Sequence, residues 1–358
     1  SSSTDMARSG GGSLVGLRVV VVLVAFTLTL KPTAESLNQF MEGPVPIEFI
    51  IGGNPTSPTA LPWQAFIQIK RTNGDWNCGG SLLKMKWILS AAHCFVQTKS
   101  TPAGVPNGYE ITTTRMFIHV GVQDTNKLGS PVQSQVITEN IGSHLRIHSQ
   151  FNRNADLNND IALIELAKEF ILHPNVIPIT LGTGSDAEPG KYLRASGFGR
   201  TVPSGTPTNI LQSVSGLRLF NSSECEEYFQ PLRYTFTDSM LCTINYKKGA
   251  CQGDSGGAVI TGEKGKSDGP PWVQIGIVSW GLPTCEDSNT GLVPLVVVNI
   301  QKFRQYIYEI IDVAEAPPLP SGPPTPTPPD PHWCSFVDAS TKCSTLRVAL
   351  ECQQLCTG

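Results

Sequence analysis

The sequence is poor in charge. Asp, Glu, Lys and Arg make up 15% of its 358 residues and leave a net charge of only −3. That balance offers no basic footprint, and nucleic acid is excluded as a partner. Cys-x2-Cys spacings are absent among the ten cysteines, so thiolate metal ligation is not indicated. The ten read as five disulfides formed in an oxidising compartment. Also absent is an apolar run of the ~20 residues that a bilayer-spanning helix needs. The run from Val19 to Leu30, with Arg8 and Arg18 before it, is shorter than that and fits a signal peptide cleaved between Thr27 and Glu35. Left uncleaved, the same run would be a signal anchor. The first residue is not methionine. Met6 is the first candidate start, and residues 1–34 are read as leader and signal peptide.

From Ile50 onward the apolar runs are short, β-rich and bounded by Gly, Pro and Asn. They are Trp63–Lys70, Leu82–Leu89, Met116–Val122 and Asp160–Leu166, then Ser213–Phe220, Ala258–Ile260, Trp272–Trp280 and Gly291–Ile300. This pattern predicts an all-β domain over residues 50–313, long enough to bury a sizeable core. Phe303, Ile307, Ile310 and Ile311 recur at helical spacing and predict a C-terminal helix over 300–313. Residues 314–332 are a Pro-rich, extended linker. Residues 333–358 carry Cys334, Cys343, Cys352 and Cys356. A segment this small depends on disulfides, and three pairings are open. It is either a docking module or a disulfide-tied tail.

The chemistry centres on Gly249-Ala-Cys-Gln-Gly-Asp-Ser-Gly-Gly257. Glycines around Ser255 permit a tight turn and leave the amides of Gly253 and Ser255 free to bind a developing oxyanion. A serine hydroxyl is a weak nucleophile and needs a histidine base with a carboxylate to orient it. Ser90-Ala-Ala-His-Cys94 supplies His93, and Asn158-Asn-Asp-Ile-Ala-Leu163 supplies Asp160.

With these three motifs in the order His93, Asp160, Ser255, the sequence resembles the trypsin/chymotrypsin family of serine endopeptidases from about Ile50 to Val313. The resemblance implies two packed six-stranded antiparallel β-barrels, with the triad at their interface and the C-terminal helix on the second barrel. It implies disulfides Cys78–Cys94, Cys225–Cys242 and Cys251–Cys285, while a further family bridge is lost at both its positions, Leu193 and Thr261. It also implies a zymogen. Residues 35–49 would be an activation propeptide, and cutting Phe49–Ile50 would free an Ile50 ammonium to pair with Asp254. Phe49 departs from the basic residue usual before that bond. Family members often hold calcium after the strand that ends at Val122. Here Val122–Gln133 has Asp124 as its one carboxylate, and no metal or other cofactor is expected.

Specificity in the family is set by one pocket, here Gly249 at the base with Gly281 and Gly291 as walls. With no carboxylate at the base, Lys and Arg would be buried without a counter-charge, and a large apolar side chain fits better. Lys247 or Lys248 turned inward would favour acidic residues instead. Ser279-Trp280-Gly281 corresponds to the segment that pairs with substrate backbone. The long stretch from Phe95 to Arg115 is either a loop restricting access to the cleft or a surface insertion. Asn221-Ser-Ser223 is an N-glycosylation sequon, or a turn capping a helix that starts near Ser222. The implied protein is a secreted serine endopeptidase made as a zymogen and cutting after large apolar residues. Its partners would be protein or peptide substrates, protein protease inhibitors and a docking partner for the tail. The competing reading is a non-catalytic homologue acting as a binding or regulatory protein.

Overall fold

The computed structural model describes residues 50–311 apart from 73, 105, 130, 156 and 263–269. The segments expected to be leader, propeptide, linker and cysteine-rich tail lie outside the described residues. Two antiparallel sheets dominate. The first runs Gln133–Ile137, Thr113–Val120, Gln64–Arg71, Gly74–Lys84, Trp87–Ser90, Ala162–Glu165, Leu145–Ile147 in spatial order. The second runs Asn54–Pro55, Gln212–Arg218, Tyr192–Gly197, Ala258–Thr261, Val273–Gly281, Leu292–Asn299, Met240–Tyr246, with Thr180–Leu181 added in parallel on Val273–Gly281. Leu219 bridges Thr243, and the Phe220 amide donates to the Cys242 carbonyl at 3.1 Å, so the second sheet curls until its ends meet. The fold is the all-β pair of barrels with a C-terminal helix. The sheets hold eight and seven strands rather than six each, because short pairings at Asn54–Pro55, Thr180–Leu181 and Leu145–Ile147 lengthen the ladders.

Alternation along a strand decides which sheet face each residue serves. In Gln64–Arg71, Ile67 and Ile69 join the first core with Leu82, Ile88, Met116 and Leu163. Phe66, on the opposite face of the strand, faces the second sheet and meets Phe198 with ring centroids 5.1 Å apart. Two buried polar pairs cross the same boundary: Ser81 Oγ donates to Gln274 Oε1, and Ser196 Oγ to Gln64 Oε1, each at 2.7 Å. The second core collects Leu193, Val214, Leu217, Val259, Ile275, Leu295 and Val297. Arg194 pairs with Ile260, so Leu193 and Thr261 are next along the same ladder, and the Thr261 hydroxyl donates to the Tyr192 carbonyl at 3.1 Å.

Three expectations change. The apolar run Leu82–Leu89 is two strands, because the chain turns between Lys84 and Trp87. The Phe95–Arg115 stretch is not an open loop: Val96–Ser100 and Pro106–Ile111 form a hairpin. Asn152 pins it, donating through Nδ2 to the carbonyls of Lys99 and Gly108. Finally, the helix Ile300–Ile311 does not pack on the second barrel alone: it lies against the strand Val273–Gly281 of the second sheet and also covers the first sheet's core. Its buried Phe303, Ile307 and Ile311 belong to the first core, Phe303 and Tyr306 pack edge-on against His148, and Lys84 Nζ donates to the Ile311 carbonyl. The apolar stripe of a helix shows that a face is covered, not which sheet covers it.

Candidate active site

His93 lies in a single 3-10 turn, Ala92–Cys94, that directly follows the strand Trp87–Ser90. Its amide donates to Asp160 Oδ1 at 2.8 Å, and its ring Nδ1 is 2.7 Å from Asp160 Oδ2. A carboxylate only accepts, so the proton of that ring bond is assigned to Nδ1, leaving the Nε2 lone pair free. Asp160 is 1% exposed, and Ser279 Oγ donates to the same Oδ2 at 2.6 Å. The loop before it is held from the second half of the chain: Asn158 Oδ1 accepts from the hydroxyls of Thr237 and Ser239.

Ser255 arrives from the second sheet on a turn pressed against the first. Its carbonyl accepts from the Gly79 amide at 2.7 Å. Gly256, at φ 83°, sits so close to Ser90 that a Cβ would fall 2.2 Å from the serine oxygen, and no side chain is tolerated there. Ser90 and Gly79 flank the histidine turn through sequence and through the Cys78–Cys94 disulfide, so this contact brings the Ser255 turn to His93. The amides of Asp254, Gly256 and Gly257 all donate to backbone carbonyls of the protein. Those of Gly253 and Ser255 donate to no protein acceptor among the described residues.

Disulfides join Cys78–Cys94, Cys225–Cys242 and Cys251–Cys285. The Cys78 and Cys94 sulfurs lie near a His93 nitrogen, but bonded to each other they are not a thiolate ligand set. The Asp124 carboxylate accepts from the Asn126 amide and pairs with Lys127.

Beside Ser255 lies a cavity of about 180 Å³ lined by Val278, Trp280, Gly281, Leu282 and Leu295 among others, none of them charged. Gly281 lines it; Gly249 and Gly291 do not. A Cβ on Gly249 would lie 2.4 Å from Val293 Cγ1, and one on Gly291 2.7 Å from the Tyr246 ring. Lys247 and Lys248 are both exposed. Trp280 packs edge-on against Phe229 and beside Tyr234.

Ile50 is fully buried with Ala250, Val214 and Val297, and Asp254 is fully buried as well. Asp254 accepts from the amides of Gly199 (2.8 Å) and Cys251 (3.0 Å). No bond joins it to Ile50 among the described contacts. The chain is continuous through Phe49–Ile50, so the Ile50 nitrogen is a neutral peptide amide there. Burial pushes the Asp254 carboxyl up from 3.8 to about 7, with the two amides opposing that rise.

The motifs give no sign of the Ser279 hydroxyl as a second donor to Asp160, nor of Gly199 as a donor to Asp254. Neither follows from spacing, since each joins residues more than 50 positions apart.

Two facing antiparallel sheets, with Ser, His and Asp carried on the loops between them, define the class. The chain belongs to the trypsin family, whose model matches residues 50–307. It is similar to Limulus clotting factor C of Carcinoscorpius rotundicauda, 34% identical over 276 residues, 72% of this chain and 25% of that protein. It is also similar to human mannan-binding lectin serine protease 1, 30% identical over 237 residues, 65% of this chain and 32% of that protein. The chain thus spans about a quarter to a third of the length of these relatives.

Proposed function

We propose that the protein is a secreted serine endopeptidase, made as a zymogen, that hydrolyses peptide bonds through His93, Asp160 and Ser255. The observation that carries this reading is the pair of hydrogen bonds from His93 to the buried Asp160 carboxylate, beside a serine turn with two undonated amides. Ser255 Oγ attacks the substrate carbonyl carbon as its proton passes to His93 Nε2. Asp160, accepting from Nδ1, stabilises the imidazolium and fixes its tautomer. The carbonyl oxygen takes up negative charge and accepts from the Gly253 and Ser255 amides. Collapse breaks the C–N bond, the amine leaves with the Nε2 proton, and water repeats the sequence on the acyl-serine to release the acid.

The uncharged cavity beside Ser255 supports a large apolar or aromatic residue before the cut bond. Ser279, Trp280 and Gly281, at the end of a strand, would pair with substrate backbone. Gly249 and Gly291 would shape the pocket indirectly, through Val293 and Tyr246. Partners are protein or peptide substrates and protein inhibitors, with the cysteine-rich tail as a docking element. Secretion is supported by the Val19–Leu30 run and by the disulfides; among the described residues no helix is long and apolar enough to cross a membrane.

The test takes protein cut at Phe49–Ile50, labels it with a serine-directed fluorophosphonate and profiles the bonds it cleaves in a peptide library. Expected are a label on Ser255 and cleavage after Phe, Tyr, Leu or Met. Ser255→Ala should lose roughly 10⁴–10⁶ in rate with an unchanged melting temperature. Correctly cut protein that takes no label would leave a binding or regulatory homologue as the reading.

A further inference from the structure

Arg71 ends the strand Gln64–Arg71 at an irregularity: Lys70 pairs with Arg115, but Arg71 pairs with Thr113. A bulge of this kind re-aims the side chain beside it. Arg71 Nε donates to the Cys94 carbonyl at 3.0 Å, and its Nη2 reaches the carbonyls of both His93 and Cys94. These carbonyls end the 3-10 turn that carries His93, where carbonyls run out of backbone partners. The guanidinium also lies over the Trp76 ring, 5.3 Å from its centroid. No carboxylate pairs with Arg71 among the described residues; the nearby Asp75 is taken by Lys70. A charged fork that faces main-chain oxygens, with its plane against an indole, fixes backbone rather than neutralising an acid. His93 is therefore gripped at its amide and ring by Asp160 and at its carbonyl by Arg71.

We propose that Arg71 is a positioning residue for the reaction: its guanidinium fixes the carbonyl end of the His93 turn and so sets Nε2 against Ser255 Oγ. This rests on the reading of His93 as the base. Nothing in the sequence motifs around His93 points to it, because the partner comes from a different strand 22 residues upstream of His93.

The test uses full chain cut at Phe49–Ile50, as wild type, Arg71→Ala and Arg71→Lys, with fluorophosphonate labelling and melting temperature measured on each. Labelled, active wild type is the precondition; a wild type without label or turnover defeats the protease reading itself, an outcome distinct from any effect of the Arg71 variants. For Arg71→Ala the expected result is a kcat lower by about 10- to 100-fold at a nearly unchanged KM. Free guanidinium at non-denaturing concentration should restore part of that loss and leave wild type unaffected. A merely structural role predicts no such restoration. Arg71→Lys keeps the charge but offers a single point donor in place of the fork, so its kcat should fall in between. Wild-type kcat in Arg71→Ala, or a loss that guanidinium does not restore, overturns the assignment. If Arg71→Ala does not fold, wild-type kcat in Arg71→Lys overturns the role of the fork, and a lowered kcat at constant KM upholds it.

Discussion

Gly199 and Cys251 each give an amide to Asp254, and no cation reaches its carboxyl among the described residues of the uncut chain. With its folded value raised from 3.8 to about 7, the folded chain keeps this proton over a range where the unfolded chain has released it. Stability therefore falls as pH climbs from the unfolded value to the folded one and levels off above it. In uncut Ser255→Ala protein, Asp254→Asn should remove that slope. Urea midpoints taken at about pH 4 and about pH 8 should show the Asp254 protein losing on the order of a few kcal/mol relative to the Asn variant. Parallel behaviour of the two would mean that the carboxyl is charged throughout. Position 249 gives a second expectation. Gly249→Asp sets a Cβ against Val293, so by itself it should destabilise by about 1–3 kcal/mol. Adding Val293→Ala should recover stability and bring cleavage after Lys and Arg, read from the peptide-library profile. A single variant that folds normally and already cuts after Arg would show that Val293 yields easily. At this scale the motif residues were legible because each motif is a local string. The bond from Ser279 to Asp160 and the grip of Arg71 were not, because a hydroxyl or a guanidinium in an ordinary strand gives no sign of which distant carboxylate or carbonyl it will meet.

Among the elements, the helix Ser222–Phe229 shows a local signal read two ways at once. Asn221 Oδ1 accepts from the Glu224 amide at 2.8 Å, and Glu224 returns a bond to the Asn221 amide. The capping oxygen is not the nitrogen that would carry a glycan, so cap and sequon are compatible. Ser223→Ala should abolish any glycan and leave the helix start intact, whereas Asn221→Ala should also cost about 1 kcal/mol. Gel mobility of secreted protein and urea melts of deglycosylated protein separate the two effects. Equal stability of both variants would show that the cap contributes nothing. The strand Val273–Gly281 and the strand Leu292–Asn299 were legible as continuous apolar runs, since both are buried almost throughout. Edge strands such as Gln133–Ile137 were not, because alternating exposure dilutes their apolar signal. The hairpin after His93 escaped for a related reason: Lys99, Glu110 and their neighbours are exposed, and what orders the hairpin is the buried Asn152, more than 40 residues on from either.

For the whole molecule, the proposed activation bond is Phe49–Ile50 and the cavity beside Ser255 is uncharged and mostly apolar. A phenyl ring entering such a site gains roughly 1.5–3 kcal/mol from burial. Mature enzyme is therefore expected to process its own precursor. Uncut Ser255→Ala protein should remain intact alone and be cut after Phe49 when a trace of mature wild type is added, as followed by N-terminal sequencing. A bond left untouched while other Phe sites are cleaved would assign activation to an outside protease. The placement of the chain's two ends within the domain has a different consequence. Asn54–Pro55, at the start, belongs to the second sheet through its pairing with Gln212 and Ser213, while the helix Ile300–Ile311, at the end, completes the core of the first. Each half thus lends an arm to the other. During synthesis the first sheet waits, its core uncovered, until the last residues of the domain emerge. A nick in the connection between the halves would leave them clasped, and neither half made separately would have what it needs to close.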